Sequence, residues 1–284
     1  MEEAIEQAVG RAITMMRTNL GEQLTVDDLA RAAMFSKFHF TRIFQRVTGV
    51  SPGRFLSALR LQRAKYLLLS TSLNVADISL RVGYSSVGTF SSRFSRSVGL
   101  SPTTFRRLQG FAPHIPTDRG LGVEHHPCAA VDGYVWSSPE EAEGLVYIGL
   151  FPGPIPEGRP VSCAILFGPG RYQLDEVPPG SWYLLAQAVT GEPDDARATN
   201  GSSDGTDVSI FVAAYGPITI RPGTVARVDV RLKPARDLDP PVLLALTDAR
   251  KLALATVAEK VASTPTKLPG IGAREDLSDL TTAA

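Results

Sequence analysis

The chain has 284 residues, room for two domains of ordinary size, and its acidic and basic side chains cancel at 29 each. No apolar run approaches a membrane span, and two cysteines, Cys128 and Cys163, cannot build a disulfide framework. The charge is unevenly placed: residues 1–110 hold 15 Lys and Arg against 7 Asp and Glu, and the remainder holds 14 against 22, which suits a polyanion-binding module joined to an acidic one.

Residues 2–19 predict a first helix. Ile5, Val9, Ile13 and Met16 form one apolar stripe, and Gly21 is a stop signal. The acidic start, Glu2-Glu3, is unlike a signal peptide, so a cytoplasmic setting is expected.

From Leu24 to Leu108 one local pattern occurs twice. Leu29 matches Ile78 at an offset of 49; Phe40, Phe44 and Gly49 match Phe90, Phe94 and Gly99 at an offset of 50, so the second turn holds one extra residue. Thr25 with Asp28, and Asn74 with Asp77, are cap pairs that start a short helix in each copy. Met34-Phe35 and Gly83-Tyr84 fall at the turns, and Ser36 and Ser85 or Ser86 can cap a second helix. In that second helix Phe40, Ile43, Phe44 and Val47, and in the repeat Phe90, Phe94 and Val98, recur at helical spacing and face inward. Each copy reads as a helix-turn-helix.

The outer face of the first copy is then Lys37, Phe38, Thr41, Arg42, Gln45 and Arg46. Such a face suits the DNA major groove, where Arg pairs bidentately with guanine and apolar or hydroxyl groups meet the thymine methyl. The competing account is a helical bundle with a solvated basic face. Two units in tandem, with matched caps and a basic excess, favour the first.

Arg54 to Leu69 predicts a linker helix between the copies. Phe55, Leu59, Ala64, Leu67 and Leu68 give it apolar faces toward both, while Arg60, Arg63 and Lys65 either touch a nucleic-acid backbone or solvate the helix.

The stretch resembles the DNA-binding domain of the AraC/XylS family of transcription regulators. The resemblance rests on Arg60-Leu61, Ala64, Leu68, Val75-Ala-Asp-Ile78, Val82-Gly83-Tyr84, Phe90, Phe94, Val98-Gly99 and Ser101-Pro102. It covers about a hundred residues. It implies two reading helices on a stiff linker, entering adjacent major grooves on one face of double-stranded DNA. By position, Phe38, Thr41 and Arg42 of the first, and Val87, Gly88, Ser91 and Ser92 of the second, would meet bases. The second set lacks long polar side chains, so direct readout there is expected to be weaker, with Arg93 and Arg96 on phosphates or in structural pairs. If the linker is rigid, straight DNA must bend to accept both helices.

Phe111 to Pro127 reads as a linker rich in Pro and Gly. His125, His126 and Cys128 lack any recognised zinc spacing. Beyond lie alternating segments: 130–136, 145–151, 161–167, 171–174, 182–189, 208–212 and 224–232, the last with Val228, Val230 and Leu232 on one side. Gly/Pro turns separate them, and a β-sandwich is expected over 128–246. The run Gly170 to Ala186, with Val177-Pro-Pro-Gly180 at its centre, is similar to the carboxypeptidase-regulatory-like, transthyretin-type sandwich. That resemblance implies a fold and no activity. Tyr134, Trp136, Tyr147, Phe151, Trp182 and Tyr183 either fill its core or line a pocket. Pro240 to Leu246 predicts a last strand or a helix entry, Asp248 to Ala262 a helix, and the tail from Ser263 disorder.

The loop Glu192 to Asp207 contains Gly201-Ser-Ser-Asp-Gly205, the form of a nucleophile elbow, without a buried strand before it or a helix after it. Its aspartates lack EF-hand spacing, and no phosphate-binding Gly-Lys-Ser/Thr loop occurs. No catalytic residue, metal or cofactor is therefore expected. The expected architecture is an all-α tandem helix-turn-helix domain over 1–110, a linker over 111–127, an all-β sandwich over 128–246, and a helix and tail over 247–284. The expected activity is sequence-specific binding of double-stranded DNA to regulate transcription. The sandwich would sense a small-molecule effector or hold a homodimer, and RNA polymerase is a further candidate partner. An adaptor that recruits a protein and senses nothing is the alternative. On bound DNA, a circular-permutation gel shift should show position-dependent mobility.

Overall fold

The computed structural model describes residues 2–112, 115, 117, 129–138, 144–190 and 209–245. The expectations for most of the linker, for the loop 192–207, for Cys128 and its neighbouring histidines, and for the helix and tail beyond 247 lie outside these residues.

Seven helices come first: α1 Glu2–Thr18, α2 Val26–Ala32, α3 Lys37–Thr48, α4 Pro52–Ser70, α5 Val75–Arg81, α6 Val87–Val98 and α7 Pro102–Arg107. The caps foreseen in the sequence start the short helices. The Thr25 hydroxyl accepts from the Asp28 N–H while the Asp28 carboxylate accepts from the Thr25 N–H, a closed capping box. Asn74 Oδ1 accepts from the Asp77 N–H at 2.8 Å. Ser86 caps α6 with its side chain, whereas Ser36, at the same place before α3, makes no such bond. Gly49 and Gly99 end the second helix of each unit in the left-handed conformation, with φ of 76° and 86°.

The repeat extends beyond the helix-turn-helix. Phe40, Phe44 and Phe55 form a ladder with ring centroids 5.4 Å apart at each step, and Phe90, Phe94 and Phe105 form another at 5.6 Å. All six rings are buried. Phe55 belongs to α4 and Phe105 to α7, so the third helix of unit one is the start of the linker helix. Pro52 and Pro102 open these helices at a position where no N–H is needed. The linker helix is accordingly three residues longer than the expected span of 54–69.

The turns differ in one telling way. Met34 has φ 60° and Gly83 has φ 83°, and both turns close with the same pair of backbone bonds. Met34 is solvent-exposed. A Cβ on Gly83 would lie 2.4 Å from the carbonyl oxygen of Leu20 and 2.7 Å from the Arg60 guanidinium. Arg60 donates to the Leu20 and Glu22 carbonyls at 3.0 and 2.7 Å. The turn of unit two is thus pressed against the loop after α1, with an α4 arginine between them.

The rest is strand-rich: β1 Ala129–Trp136, β2 Val146–Phe151, β3 Ser162–Leu166, β4 Arg171–Val177, β5 Gly180–Thr190, β6 Ser209–Ile220, β7 Val225–Arg227, β8 Val230–Arg231 and β9 Lys233–Pro234. They form two sheets. One has the order β4-β1-β7 with β8 also on β1; the other has the order β3-β2-β5-β6-β9. Val131, Val135 and Leu174 from the first share one apolar core with Ile148, Leu150, Leu184 and Ala186 from the second. The Val177-Pro-Pro-Gly180 turn does not make a hairpin: β4 pairs with β1, while β5 pairs with β2 and β6.

Two expectations here need correction. The segment 224–232 is two short strands, both parallel to β1. The break falls at Val228 and Asp229 because β1 has no side chain at Gly133, where a Cβ would lie 1.9 Å from the Val228 oxygen. Asp229 then accepts from the Tyr134 N–H, and Val228 from the Tyr172 hydroxyl. The inward faces of Val228, Val230 and Leu232 survive. The segment 240–245 is neither strand nor helix but an extended strap. Its Leu243 and Ala245 join the helical core together with Ile155.

Gly83→Ala combines a left-handed backbone with a steric overlap and should cost roughly 2–4 kcal/mol in urea unfolding. Met34→Gly trades the same backbone strain against glycine's entropy, so its effect should stay under about 1 kcal/mol. A cost for Gly83→Ala no larger than the ~1–2 kcal/mol of left-handed strain alone would show that the contact at Gly83 does not matter.

Candidate nucleic-acid interface

The inward residues of α3 and α6 leave a defined outer face on each helix. On α3, Phe40, Ile43 and Phe44 are buried, and Lys37, Phe38, Arg42, Gln45 and Arg46 are exposed. Phe38 is 85% exposed, the most exposed large apolar side chain among the described residues. Thr41 is half-buried, and its hydroxyl donates to the Lys37 carbonyl at 2.9 Å. On α6, Val87, Gly88, Ser92 and Arg96 are exposed, and Ser91 and Arg93 are half-buried. A side chain at Gly88 would point into open space. All twelve expected residues therefore lie on the two helices, at or next to the outer face.

Neither helix carries an acidic side chain. Among the described residues Arg42, Arg46, Arg93 and Arg96 form no side-chain hydrogen bond or ion pair, so these guanidiniums stay available to an external anion. Lys37 is different: its ammonium sits 2.9 Å from Asp27, though both groups are exposed. Such a pair is weak and exchangeable. Arg93 and Arg96 thus fill none of the structural pairs that the sequence allowed.

The basic residues of the linker helix behave otherwise. Arg60 is fixed on backbone carbonyls, as above. Arg63 lies over the Tyr66 ring, 4.8 Å from its centre. Lys65 is 2% exposed; its Nζ donates to the Val242 carbonyl at 3.3 Å and sits 5.8 Å from the Phe105 ring centre. Neither Arg60 nor Lys65 solvates the helix or faces outward. Sequence periodicity could not show this, because the acceptor for Lys65 is 177 residues away.

The two reading helices are held by packing. The helix α4 buries residues on all sides, from Phe55 and Leu56 through Leu61 and Ala64 to Leu68. Arg106 donates to the Leu68, Thr71 and Leu73 carbonyls and so closes the C-terminal end of α4 against α7. Arg11 does the same for the end of α2. Glu157, from the loop after β2, joins the units from outside: it accepts from Arg54 of α4 at 2.9 Å and from Ser97 of α6 at 2.8 Å.

Two outward basic helices, each in a helix-turn-helix and both seated on one buried helix, define a tandem helix-turn-helix protein. A family model described as a helix-turn-helix domain matches residues 29–108. A transcriptional activator of Providencia stuartii, AarP, is 30% identical over 98 residues, which are 34% of this chain and 73% of AarP. An uncharacterised HTH-type transcriptional regulator of Haemophilus influenzae is 43% identical over 82 residues, 29% of this chain and 28% of that protein. The chain belongs to the AraC/XylS family of transcription regulators. An AraC-type regulator structure from Chromobacterium violaceum aligns at 31% identity over 37% of this chain and 93% of that one, with a TM-score of 0.36.

Burial lowers the Lys65 pKa from the ordinary 10.5 to about 7. The unfolded chain therefore binds the extra proton between about pH 7 and the ordinary lysine range, and stability should climb as pH rises through that window. Lys65→Met should stabilise by ~1–4 kcal/mol near pH 6 and by much less near pH 10, read from urea unfolding. A difference that does not change with pH would mean that Lys65 carries no buried charge.

Proposed function

We propose that this chain is a sequence-specific double-stranded DNA-binding transcription regulator that seats α3 and α6 in adjacent major-groove segments of one duplex. The observation that carries this reading is the set of unpaired guanidiniums, Arg42, Arg46, Arg93 and Arg96, on two helices locked to one buried linker. Phe38, Thr41 and Arg42 are assigned to bases from α3, and Val87, Gly88, Ser91 and Ser92 to bases from α6. Lys37, Gln45, Arg46, Arg93 and Arg96 are assigned to phosphates. With only small side chains at the base-facing positions of α6, sequence choice rests chiefly on α3, and α6 adds register and affinity. The reading module is taken as residues 1–110, joined through 111–127 to a two-sheet sandwich over 128–246 that senses an effector.

A second reading keeps the DNA module and makes the strand-rich region an adaptor. Three large side chains, Trp136, Phe167 and Tyr215, are more than half exposed and favour it. Thermal-shift screening separates the two, since a sensor gains stability from one metabolite. RNA polymerase and a second copy of the chain are further partners consistent with regulation.

Selection from a random duplex pool gives the operator for the decisive test. On that operator Arg42→Ala should lose roughly 1–3 kcal/mol and relax one base position. Arg96→Ala should weaken all duplexes alike and reduce the salt slope by about 1. A full-length protein that selects no sequence at low salt refutes the assignment.

A further inference from the structure

The five-stranded sheet has two faces, and only one serves the core shared with the other sheet. Along β5, Leu184, Ala186 and Ala188 enter that core, so Tyr183, Leu185 and Gln187 point the other way. Along β2 the same alternation puts Val146, Ile148 and Leu150 inward and Tyr147, Gly149 and Phe151 outward. The outer face holds a smaller apolar cluster of Phe151, Leu185 and Leu244.

A cleft opens on this outer face. Its floor includes Tyr147, Gly149, Leu185 and Gln187, and Val242 and Leu244 of the strap wall it together with Ile115 and Pro156. Gly149 pairs in register with Leu185 on one side and Cys163 on the other, and its missing side chain keeps the floor low. Among the described residues no charged side chain lines the cleft. One polar side chain stands out: Gln187 is 4% exposed, and neither its Nε2 nor its Oε1 has a hydrogen-bond partner among the described residues. Buried amides are nearly always paired. This one leaves a donor and an acceptor unmet in the lining of an apolar hollow.

Resting on the reading of the strand-rich region as a sensor, we propose that this cleft is the effector site. Its ligand is a compact, uncharged, largely apolar molecule bearing a lactam or carboxamide, whose C=O accepts from Gln187 Nε2 and whose N–H donates to Oε1. An uncharged ligand suits the described lining, where no charged group stands to offset the desolvation of a carboxylate or an amine.

The cavity volume is about 30 Å³, space for about two waters. A ring-sized ligand therefore seats only by lifting Val242 and Leu244, and with them the strap. The strap's other side holds the second reading unit: the Ala245 N–H donates to the Val98 carbonyl at the end of α6 at 3.0 Å, and Leu243 lies in the helical core. Lys65 holds the Val242 carbonyl. Ligand and reading unit thus compete for the same four residues, 242–245, through alternate side chains.

The test uses the full chain, with ε-caprolactam and 2-pyrrolidinone as probes and cyclohexanone and cyclohexanecarboxylate as controls, followed by NMR. Caprolactam should shift the Gln187 side-chain amide and the Leu185 and Phe151 signals saturably, and each control should bind at least tenfold more weakly. Gln187→Leu, which removes an unmet polar burial, should unfold at the same or a higher temperature and lose at least tenfold in caprolactam affinity. Gln187→Met repeats the measurement should the leucine variant not fold. Hydrogen exchange at the Ala245 amide should quicken with caprolactam. No saturable lactam shift, equal binding of cyclohexanone, or unchanged affinity in the glutamine variants overturns the site; binding without faster exchange at Ala245 overturns the displacement of the strap. A gel shift on the same samples separates the two levels. DNA binding without lactam binding removes this site alone, and lactam binding without DNA binding removes the regulator reading.

Discussion

The fold depends on one helix that buries apolar side chains around its whole circumference. The linker helix α4 meets unit one through Phe55, unit two through Leu68 and Arg106, and the strap through Lys65, and leaves only Gly53, Arg54 and Arg63 exposed. A helix with buried residues at every angle has to be enclosed, and what encloses it here is everything the protein uses to position α3 and α6. Their separation is therefore a property of core packing. It cannot be tuned without disturbing buried aromatic rings, so the spacing of α3 and α6 is inherited from the hydrophobic core.

This explains why the helical half could be read from the sequence so fully. Offsets of 49 and 50 locate Phe40, Phe44, Phe90, Phe94 and the cap pairs, and each of these works within its own unit. What escaped depends on distant chain. Lys65 looks like a solvent-facing lysine until Val242 is brought over it. The strand 224–232 alternates without interruption until Gly133, some ninety residues earlier, admits the Val228 carbonyl. The strap looked like a regular element because its residues are apolar, but its side chains alternate between two cores and its backbone bonds go to Pro156 and Val98. The pocket shows the same limit. The aromatic residues suggested one, yet of six named only Tyr147 and Phe151 line it, and Gln187 could not be singled out without knowing which face of β5 is covered.

The helical and strand-rich parts are joined chemically as well as by chain. Glu157 ties Arg54 to Ser97, the Gly158 N–H donates to the Ser97 carbonyl at 2.7 Å, and Arg17 pairs with Asp237 at 3.0 Å. The exposed pair adds little stability. The buried backbone bonds matter more, because a displaced loop would leave their donors and acceptors unmet. Any motion of the strand-rich part that reaches these groups is felt at the end of α6, the helix whose outer face carries the smaller side chains.

The arginines that brace the helices have a consequence for thermodynamics in solution. Of the fifteen cationic side chains in residues 1–110, Arg11, Arg60 and Arg106 grip carbonyls, Lys65 is enclosed, and Arg17, Arg31, Lys37 and Arg54 face carboxylates. Seven are left over: Arg42, Arg46, Arg63, Arg81, Arg93, Arg96 and Arg107. Counterions released from a polyanion are counted by the charges that reach it. With Lys37 released from its exchangeable pair, eight of the fifteen could reach a polyanion, so an ionic-strength titration would report no more than about half the cations that composition advertises.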